Sequence, residues 1–530
     1  MRAAFLVALL ITLGGCALAP SAPTHAGAGP VADAGPTFEI RTFDIEGNTR
    51  LDPARLDAAV AAWTGAGRRM ADVQAAAAAL QAAYARAGYG AVTVSVPEQR
   101  IDEGRIVLRV QEPHLRDLTV EGARHASDEQ VLRMLPALRP GETPNTEELS
   151  REVRLANENP SRRVSVDLRR AAPGSIDARV GVQDDKPWKV GATLDDTGTP
   201  STGRLRAGAF AQHADVADLG HVATLQYVMA PEQPGQVHIA ALDYRAPLPA
   251  LGDALDAYAI YADVDSGVVG ALQVRGSGTV VGARYNRYLA PFAELQQRAW
   301  LGFEAREVHN RVGPVGGALD LVPDVTVHPL SIGYIGGWSL PDTQLDASLT
   351  ALRNIPGGDK GRAADLAAAR TGANARYAVL RYAANWLWTL RADTPLRVAI
   401  DGQWTRDALI AAEQFGIGGA QSVRGFDERE VIGDRGLRTT LELQTPNVGG
   451  RFDPGLVARG LVFLDQGWIH RNLALPGETV TANIASMGLG ARLLLPPSWQ
   501  ARVDFAHVLQ GGGVRARGDE RLHFSIGYAY

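Results

Sequence analysis

The stretch Gln414–Glu430, QFGIGGAQSVRGFDERE, sets one arginine, Arg424, between Val423 and Gly425–Phe426 in a glycine-rich segment. The chemistry a guanidinium offers is recognition, because its planar fork of N–H donors matches a carboxylate in bidentate fashion. A carboxylate is available in RGLVFLDQGW (459–468), where Val462, Leu464 and Trp468 alternate with Phe463, Asp465 and Gly467. That alternation puts Phe463, Asp465 and Gly467 on one face of a strand. A loop that folds back onto this face brings Arg424 to Asp465, with Gly425 making the tight reversal and Phe426 packing against the wall. The ordinary reading of a loop arginine is a solvated surface charge, and both readings stand at this point.

Other chemistries find less support. Gly416-Ile417-Gly418-Gly419 has the glycine content of a dinucleotide loop, but no βαβ unit surrounds it. The eleven histidines are scattered, without an HExxH motif or ligand spacing, so no metal site is expected. Asp184-Asp185 and Asp195-Asp196 fall near strand ends, where solvated charge is the ordinary explanation. No catalytic constellation emerges, so neither enzymatic activity nor a cofactor is expected. A net charge of −5 and a pI near 6.2 provide no basic footprint for nucleic acid.

The elements that must position Arg424 begin with an export signal. MRAAFLVALLITLGGCALAP has a positive Arg2, an apolar run and small residues, which reads as a signal peptide over 1–16, with cleavage as late as 28 as the alternative. In the first case Leu13-Gly14-Gly15-Cys16 is a lipobox and Cys16 is lipidated; in the second, Cys16 is discarded. Cys16 is the only cysteine, so no internal disulfide is possible. Residues 17–37 read as a flexible Ala/Gly/Pro linker. No later segment has the ~20 apolar residues of a membrane helix, so the exported chain is either soluble or crosses a membrane as strands.

Two similar modules follow, at 38–113 and 114–185. Ile45-Glu46-Gly47 and Val120-Glu121-Gly122 stand 75 positions apart, and each module reads as strand, helix, helix, strand, strand. Asp52-Pro53 marks an N-cap with Pro in the first turn. Ser127 with Gln130, and Asn145 with Glu148, have capping-box spacing.

From 186 to 530 strand alternation dominates. Leu522, Phe524, Ile526, Tyr528 and Tyr530 alternate with charged or small residues, as do Met487, Leu489, Ala491 and Leu493. Alternation alone fits a soluble sandwich or a membrane barrel. Connection lengths separate the two: short links such as 339–342 and 496–499 take turns with long ones such as 354–374, 406–435 and 470–482. Short turns on one rim and long loops on the other mark a transmembrane antiparallel β-barrel, here of sixteen strands. The chain is therefore mainly β, with two small α+β modules before the barrel. Tyr528 and Tyr530 read as interface rings on the last strand, while Arg502 and Asp504 face the lumen. The loop carrying Arg424 then lies between the eleventh and twelfth strands. In the preceding long loop, RAADLAAAR reads as an exposed loop helix, with a lid over the pore as the alternative.

Val423-Arg424-Gly425-Phe426 and Phe463-x-Asp465-x-Gly467, with two modules ahead of a sixteen-strand barrel, resemble the two-partner secretion transporters (the haemolysin secretion/activation, ShlB/FhaC/HecB type) of the POTRA-plus-barrel superfamily. The resemblance covers nearly all of Phe38–Tyr530. It implies an outer-membrane translocase whose periplasmic POTRA domains capture an unfolded, haemolysin-like or adhesin-like exoprotein by strand addition. It also implies that the loop carrying Arg424 reaches into the lumen, anchored on Asp465, and is needed for transport. Expected partners are this exoprotein, outer-membrane lipid and the barrel-assembly machinery that inserts the chain, which is expected to be monomeric. The sequence departs from many members in lacking a plug helix, since the linker is too short and too rich in Gly and Pro. An insertase for other barrels is the alternative, although insertases usually carry more POTRA modules; a passive porin is a third reading, against which the two modules argue.

Overall fold

A computed structural model describes residues 36–269, 272–314, 321–390 and 393–530. The export signal, Cys16 and the linker up to position 35 lie outside them. No helix among the described residues is long and apolar enough to cross a membrane. The described residues divide into two compact units, the first ending at 83 and resuming over 93–111, the second formed by 84–92 with 112–530.

In the first unit, Thr42–Glu46 runs parallel to Arg105–Gln111, which pairs antiparallel with Thr93–Ser95. Ile106, Leu108 and Val110 alternate into the core, and the helix Pro53–Val60 buries Leu56 and Val60. Pro53 opens this helix, but Asp52 makes no side-chain capping bond. A short strand, Gly65–Arg68, pairs with Phe38–Ile40; this pair was not legible in the periodicity, because Gly65-Ala66-Gly67 carries almost no side chain.

The second module repeats the plan inside the larger unit. His114–Glu121 runs parallel to Ser175–Asp184, which pairs antiparallel with Arg162–Ala172. Ser127 and Gln130 form a reciprocal capping box, while Asn145 accepts from the N–H groups of Glu147 and Glu148. The internal repeat has one physical cause. Gly47 and Gly122 both take positive φ (85° and 88°). A Cβ at either would stand 2.4 Å from a carbonyl oxygen of the central strand, Val110 O and Val182 O respectively. Only glycine fits that turn.

Asp184 is not the solvated strand-end charge its position implied. It is buried and accepts from the N–H groups of Arg124, His125 and Ala126 at 2.8–2.9 Å. Burial pushes its carboxyl up, but these three donors outweigh that and hold it below the usual range.

The barrel closes through sixteen strands: β1 (Trp188–Asp195), β2 (Arg206–Val216), β3 (His221–Met229), β4 (Val237–Leu248), β5 (Asp253–Val269), β6 (Leu272–Phe292), β7 (Leu295–Pro314), β8 (Pro329–Ser339), β9 (Thr343–Asn354), β10 (Ala378–Leu390), β11 (Thr394–Trp404), β12 (Arg435–Gln444), β13 (Val457–His470), β14 (Thr481–Leu495), β15 (Trp499–Gln510) and β16 (Glu520–Ala529). A three-residue strip, Val325–Val327, also pairs with β7. Outward positions carry exposed apolar side chains, among them Leu225, Leu301, Ile332, Leu489 and Leu522. Inside, large rings lie over glycines of the neighbouring strand: Tyr258 faces Gly282 in register, and a Cβ there would meet its ring at 2.5 Å. Not every connection on the long-loop rim is a loop: β5 and β6 stay paired as far as Val269 and Leu272. On the other rim, the connection 445–456 is the exception to short turns and contains a 3-10 turn at Gly449–Arg451.

The second module is seated on the short-turn rim. Its apolar core takes in Ala254 and Tyr288 of the barrel. Asn159 Nδ2 donates to Ala214 O (2.6 Å), Arg133 Nη1 donates to Asp218 O (3.0 Å), and Glu158 meets Arg245 at 3.2 Å.

Candidate functional site

The connection 405–434 folds into the lumen rather than away from the barrel. Phe415–Ile417 pairs with Val431–Gly433 to form its stem. Beyond the stem the acidic run DERE serves the loop's own backbone: Glu428 accepts from Ala420 N (2.8 Å) and Glu430 from Asp427 N (2.9 Å). Gly418, Gly419 and Gly425 supply the left-handed turns, with φ of 106°, 111° and 95°. At Gly425 the lumen wall is also close, and a Cβ would stand 3.3 Å from both Ala506 Cβ and Val508 Cγ2.

The structure brings Arg424 to Asp465. Arg424 Nε and Nη2 donate to the two carboxylate oxygens at 2.7 and 2.9 Å, and its backbone N–H donates to Asp465 Oδ2 at 3.1 Å. Both residues are almost wholly buried. The guanidinium carbon lies 3.4 Å from the centre of the Phe463 ring, so Phe463 is a cation–π platform for the arginine. Gly467 makes room for the loop, because a Cβ there would meet Ile417 Cδ1 at 2.8 Å and Val423 Cγ2 at 3.1 Å. Val423 and Phe426 are fully buried in an apolar patch with Ile469, Ile484 and Val508 of the wall.

Two further carboxylates complete the site. Arg424 Nη1 lies 3.2 Å from Glu442 and 3.4 Å from Asp504. Arg492 bridges the same two acids, at 3.5 and 2.8 Å. Three carboxylates thus share two guanidinium groups. Alternation signalled each new member: Glu442 sits between outward Leu441 and Leu443, Asp504 between Val503 and Phe505, and Arg492 opposes Arg502 in register. That they converge on Arg424 is set by the curvature that joins β12 to β15.

A second layer lies toward the long-loop rim. The helix Ala363–Ala369 is exposed on one side and anchored on the other: Leu366 is fully buried in an apolar cluster with Val325, Val327, Tyr377 and Leu409. Arg370, just after it, pairs through both terminal nitrogens with Asp434, which is fully buried. Asp434 also accepts from Leu409 N (2.9 Å), Gln414 Nε2 (3.1 Å) and Asn472 N (2.6 Å). Glu413, in a 3-10 turn just before the stem of the loop, pairs with Arg306 and Arg381. None of these partners was assigned from the sequence, since separate connections and strands supply them.

Tyr528 and Tyr530 stand apart from this site. Tyr528 packs on Trp499 (ring centres 4.8 Å) and Tyr530 on Trp188 (5.4 Å), with Lys186 Nζ over the Trp188 and Tyr530 rings. Cys16 lies outside the described residues.

Comparisons with known proteins follow the same division. The profile described as haemolysin secretion/activation protein ShlB/FhaC/HecB matches residues 174–493, and that of a ShlB-type POTRA domain matches 38–112. An outer membrane transporter CdiB from Escherichia coli O6:K15:H31 is 36% identical over 92 residues, a stretch that spans 16% of this chain and 14% of that protein. Among solved structures, CdiB from Escherichia coli is similar with a TM-score of 0.77 at 18% identity, over 96% of this chain and 94% of the other. CdiB from Acinetobacter baumannii is similar with a TM-score of 0.72 at 15% identity, over 94% and 91%. At these identities the structural likeness concerns the fold.

Proposed function

The chain belongs to the haemolysin secretion/activation protein family ShlB/FhaC/HecB, and from that premise we propose that it is an outer-membrane translocase of two-partner secretion. It takes an unfolded exoprotein from the periplasm and passes it through the barrel to the cell exterior. The POTRA region lies in the periplasm, where open sheet edges such as Thr42–Glu46 and Arg162–Ala172 offer backbone N–H and C=O groups to an extended chain. Binding by the backbone makes little demand on cargo sequence, which suits an unfolded client.

The observation that carries this reading is the loop folded into the lumen and held by Arg424 on Asp465. A channel wide enough for a polypeptide must be blocked between clients, and a loop clamped to the wall serves that purpose. Val423, Arg424, Gly425 and Phe426 seat the loop; Phe463, Asp465 and Gly467 receive it. Buried pairs of this kind specify a conformation more than they add stability.

The test compares the proteins of the culture medium and of the outer membrane with and without the chain. Loss of one large protein from the medium, with the membrane unchanged, supports the translocase and identifies its cargo. Broad loss of other barrels from the membrane replaces the reading with an insertase.

A further inference from the structure

The barrel is closed unevenly where its ends meet. β16 and β1 pair only from Ser525↔Asp195 to Ala529↔Gly191, whereas β15 and β16 pair from Trp499↔Tyr528 up to His507↔Glu520. The seam keeps one further backbone bond, from Asp196 N to Phe524 O (3.3 Å), and beyond it β16 faces no strand. Side chains reinforce that end. Asp196, the residue after β1, accepts from Phe524 N through Oδ1 (2.9 Å) and lies 2.9 Å from His523 Nδ1 through Oδ2. The other ring nitrogen of His523, Nε2, accepts from Gly425 N at 3.0 Å. Asp196 and His523 are both buried, against the expectation that Asp195-Asp196 is solvated. Beside them Arg521 pairs with Asp427 of the loop and lies 3.8 Å from Asp196.

The chemistry fixes the direction of these bonds. A backbone amide only donates, so Nε2 is the unprotonated nitrogen and the ring proton sits on Nδ1, given to Asp196. One imidazole thus joins three parts of the chain: the first strand, the last strand and the motif loop. If the loop leaves, Nε2 and its surroundings lose a buried partner, and the link that replaces the missing ladder loosens.

We infer that Asp196 and His523 form a clasp that couples the seating of the motif loop to closure of the β1–β16 seam, so that displacing the loop opens the outer half of the seam. The inference rests on the proposed role of the loop as a movable obstruction. It makes His523 a positioning residue rather than one that contacts the loop's ion pair.

The experiment is hydrogen exchange of the full chain in lipid nanodiscs, followed by mass spectrometry. Arg424→Ala is expected to speed exchange of segments 188–196 and 520–530 about threefold or more, with the β7–β8 junction unchanged. His523→Ala is expected to do the same, and the double variant to go no further than either alone. Seam exchange unchanged in Arg424→Ala, or effects that multiply in the double variant, would overturn the clasp. Should His523→Ala fail to fold, a second variant keeps the test open. Leu194 and Ile526 stand opposite each other in the seam register, and Leu194→Cys with Ile526→Cys in a Cys16→Ser background allows the seam to be locked by oxidation. Segment 418–430 is expected to exchange faster in the reduced than in the oxidised protein, and equal rates would overturn the inference. Secretion is not the readout, so a chain that exports no partner still tests the clasp, and a chain that exports with unchanged exchange keeps its function and loses the clasp.

Discussion

Two arginines hold the same lumen loop at two depths, and they do so differently. Arg424 belongs to the loop and reaches the wall, where Asp465 is part of a strand paired on both sides. Arg370 belongs to a different connection, and its acceptor Asp434 stands at the loop's own end. The inner clamp fixes the loop against a strand of the wall, whereas the outer clamp fixes connecting segments against one another through Leu409, Gln414 and Asn472. Both acceptors are fully buried, so burial alone does not distinguish them. What differs is the stiffness of the partner. Unseating Arg424 should free the loop from the barrel, while unseating Arg370 should loosen a cap that the Leu366 cluster still holds.

The largest effect expected is that of Arg424→Ala. Removing one member of a buried pair leaves an uncompensated charge, a loss of about 3–5 kcal/mol to the seated state. The barrel should remain in the membrane while export of the partner falls sharply, read as partner in the medium against heat-modifiable barrel in the membrane. Export at the wild-type level would end the comparison, because the inner clamp would then carry no function. The swap Arg424→Asp with Asp465→Arg sharpens it further. Since Glu442 and Asp504 stay in place, the new loop carboxylate would face two like charges, so the swap should export no better than Arg424→Ala.

Gly467→Val should come next. Its side chain enters space held by Ile417 and Val423, and overpacking of this kind costs about 1–3 kcal/mol. Loop displacement without loss of charge is expected, seen as higher channel conductance in planar bilayers, and conductance equal to wild type would place the loop elsewhere. Arg370→Ala should raise conductance less than Gly467→Val does. An equal or larger rise would reverse the ranking of the two clamps.

The smallest effect concerns a buried carboxyl with no ion-pair partner among the described residues. Glu152, in the second module, accepts from Ala137 N with both oxygens at 3.1 Å. Burial raises its pKa to about 7, partly offset by that donor. The folded module therefore holds the proton more tightly than the unfolded chain. Its stabilisation is complete below the unfolded value near 4.5 and is lost as pH rises through about 7. Glu152→Gln should flatten this dependence, by ~1–3 kcal/mol across the window, measured as exchange of segment 128–156 in the full chain at pH 5 and pH 8 after correction for intrinsic rates. An unchanged pH dependence would show that its local hydrogen bonds offset burial.

How much of this was legible follows from the range of each cause. Strand alternation is a local property, so the wall positions of Phe463, Asp465 and Gly467 could be read directly from RGLVFLDQGW. The repeated Gly47 and Gly122 were visible for the same reason, each required by a turn a few residues long. The anchoring of RAADLAAAR was not legible, because Leu366 is buried by residues from other segments, which a helix of seven residues cannot announce. Asp184 and Asp196 were misjudged for a related reason: solvation at a strand end is a sound expectation only until something else covers that end.

The sequence by itself determined an exported β-barrel with two preceding modules, and within it an arginine and an aspartate placed to meet. It did so because backbone geometry imposes a period of two on strands and admits only glycine at certain turns. Tertiary structure alone decided which other charges join them. Glu442, Asp465, Arg492 and Asp504 come from four successive strands, and Asp196 meets His523 from the opposite end of the barrel. The physical reason is closure: curling the sheet points every inward side chain at a shared interior, and that convergence depends on stagger and curvature rather than on any local pattern.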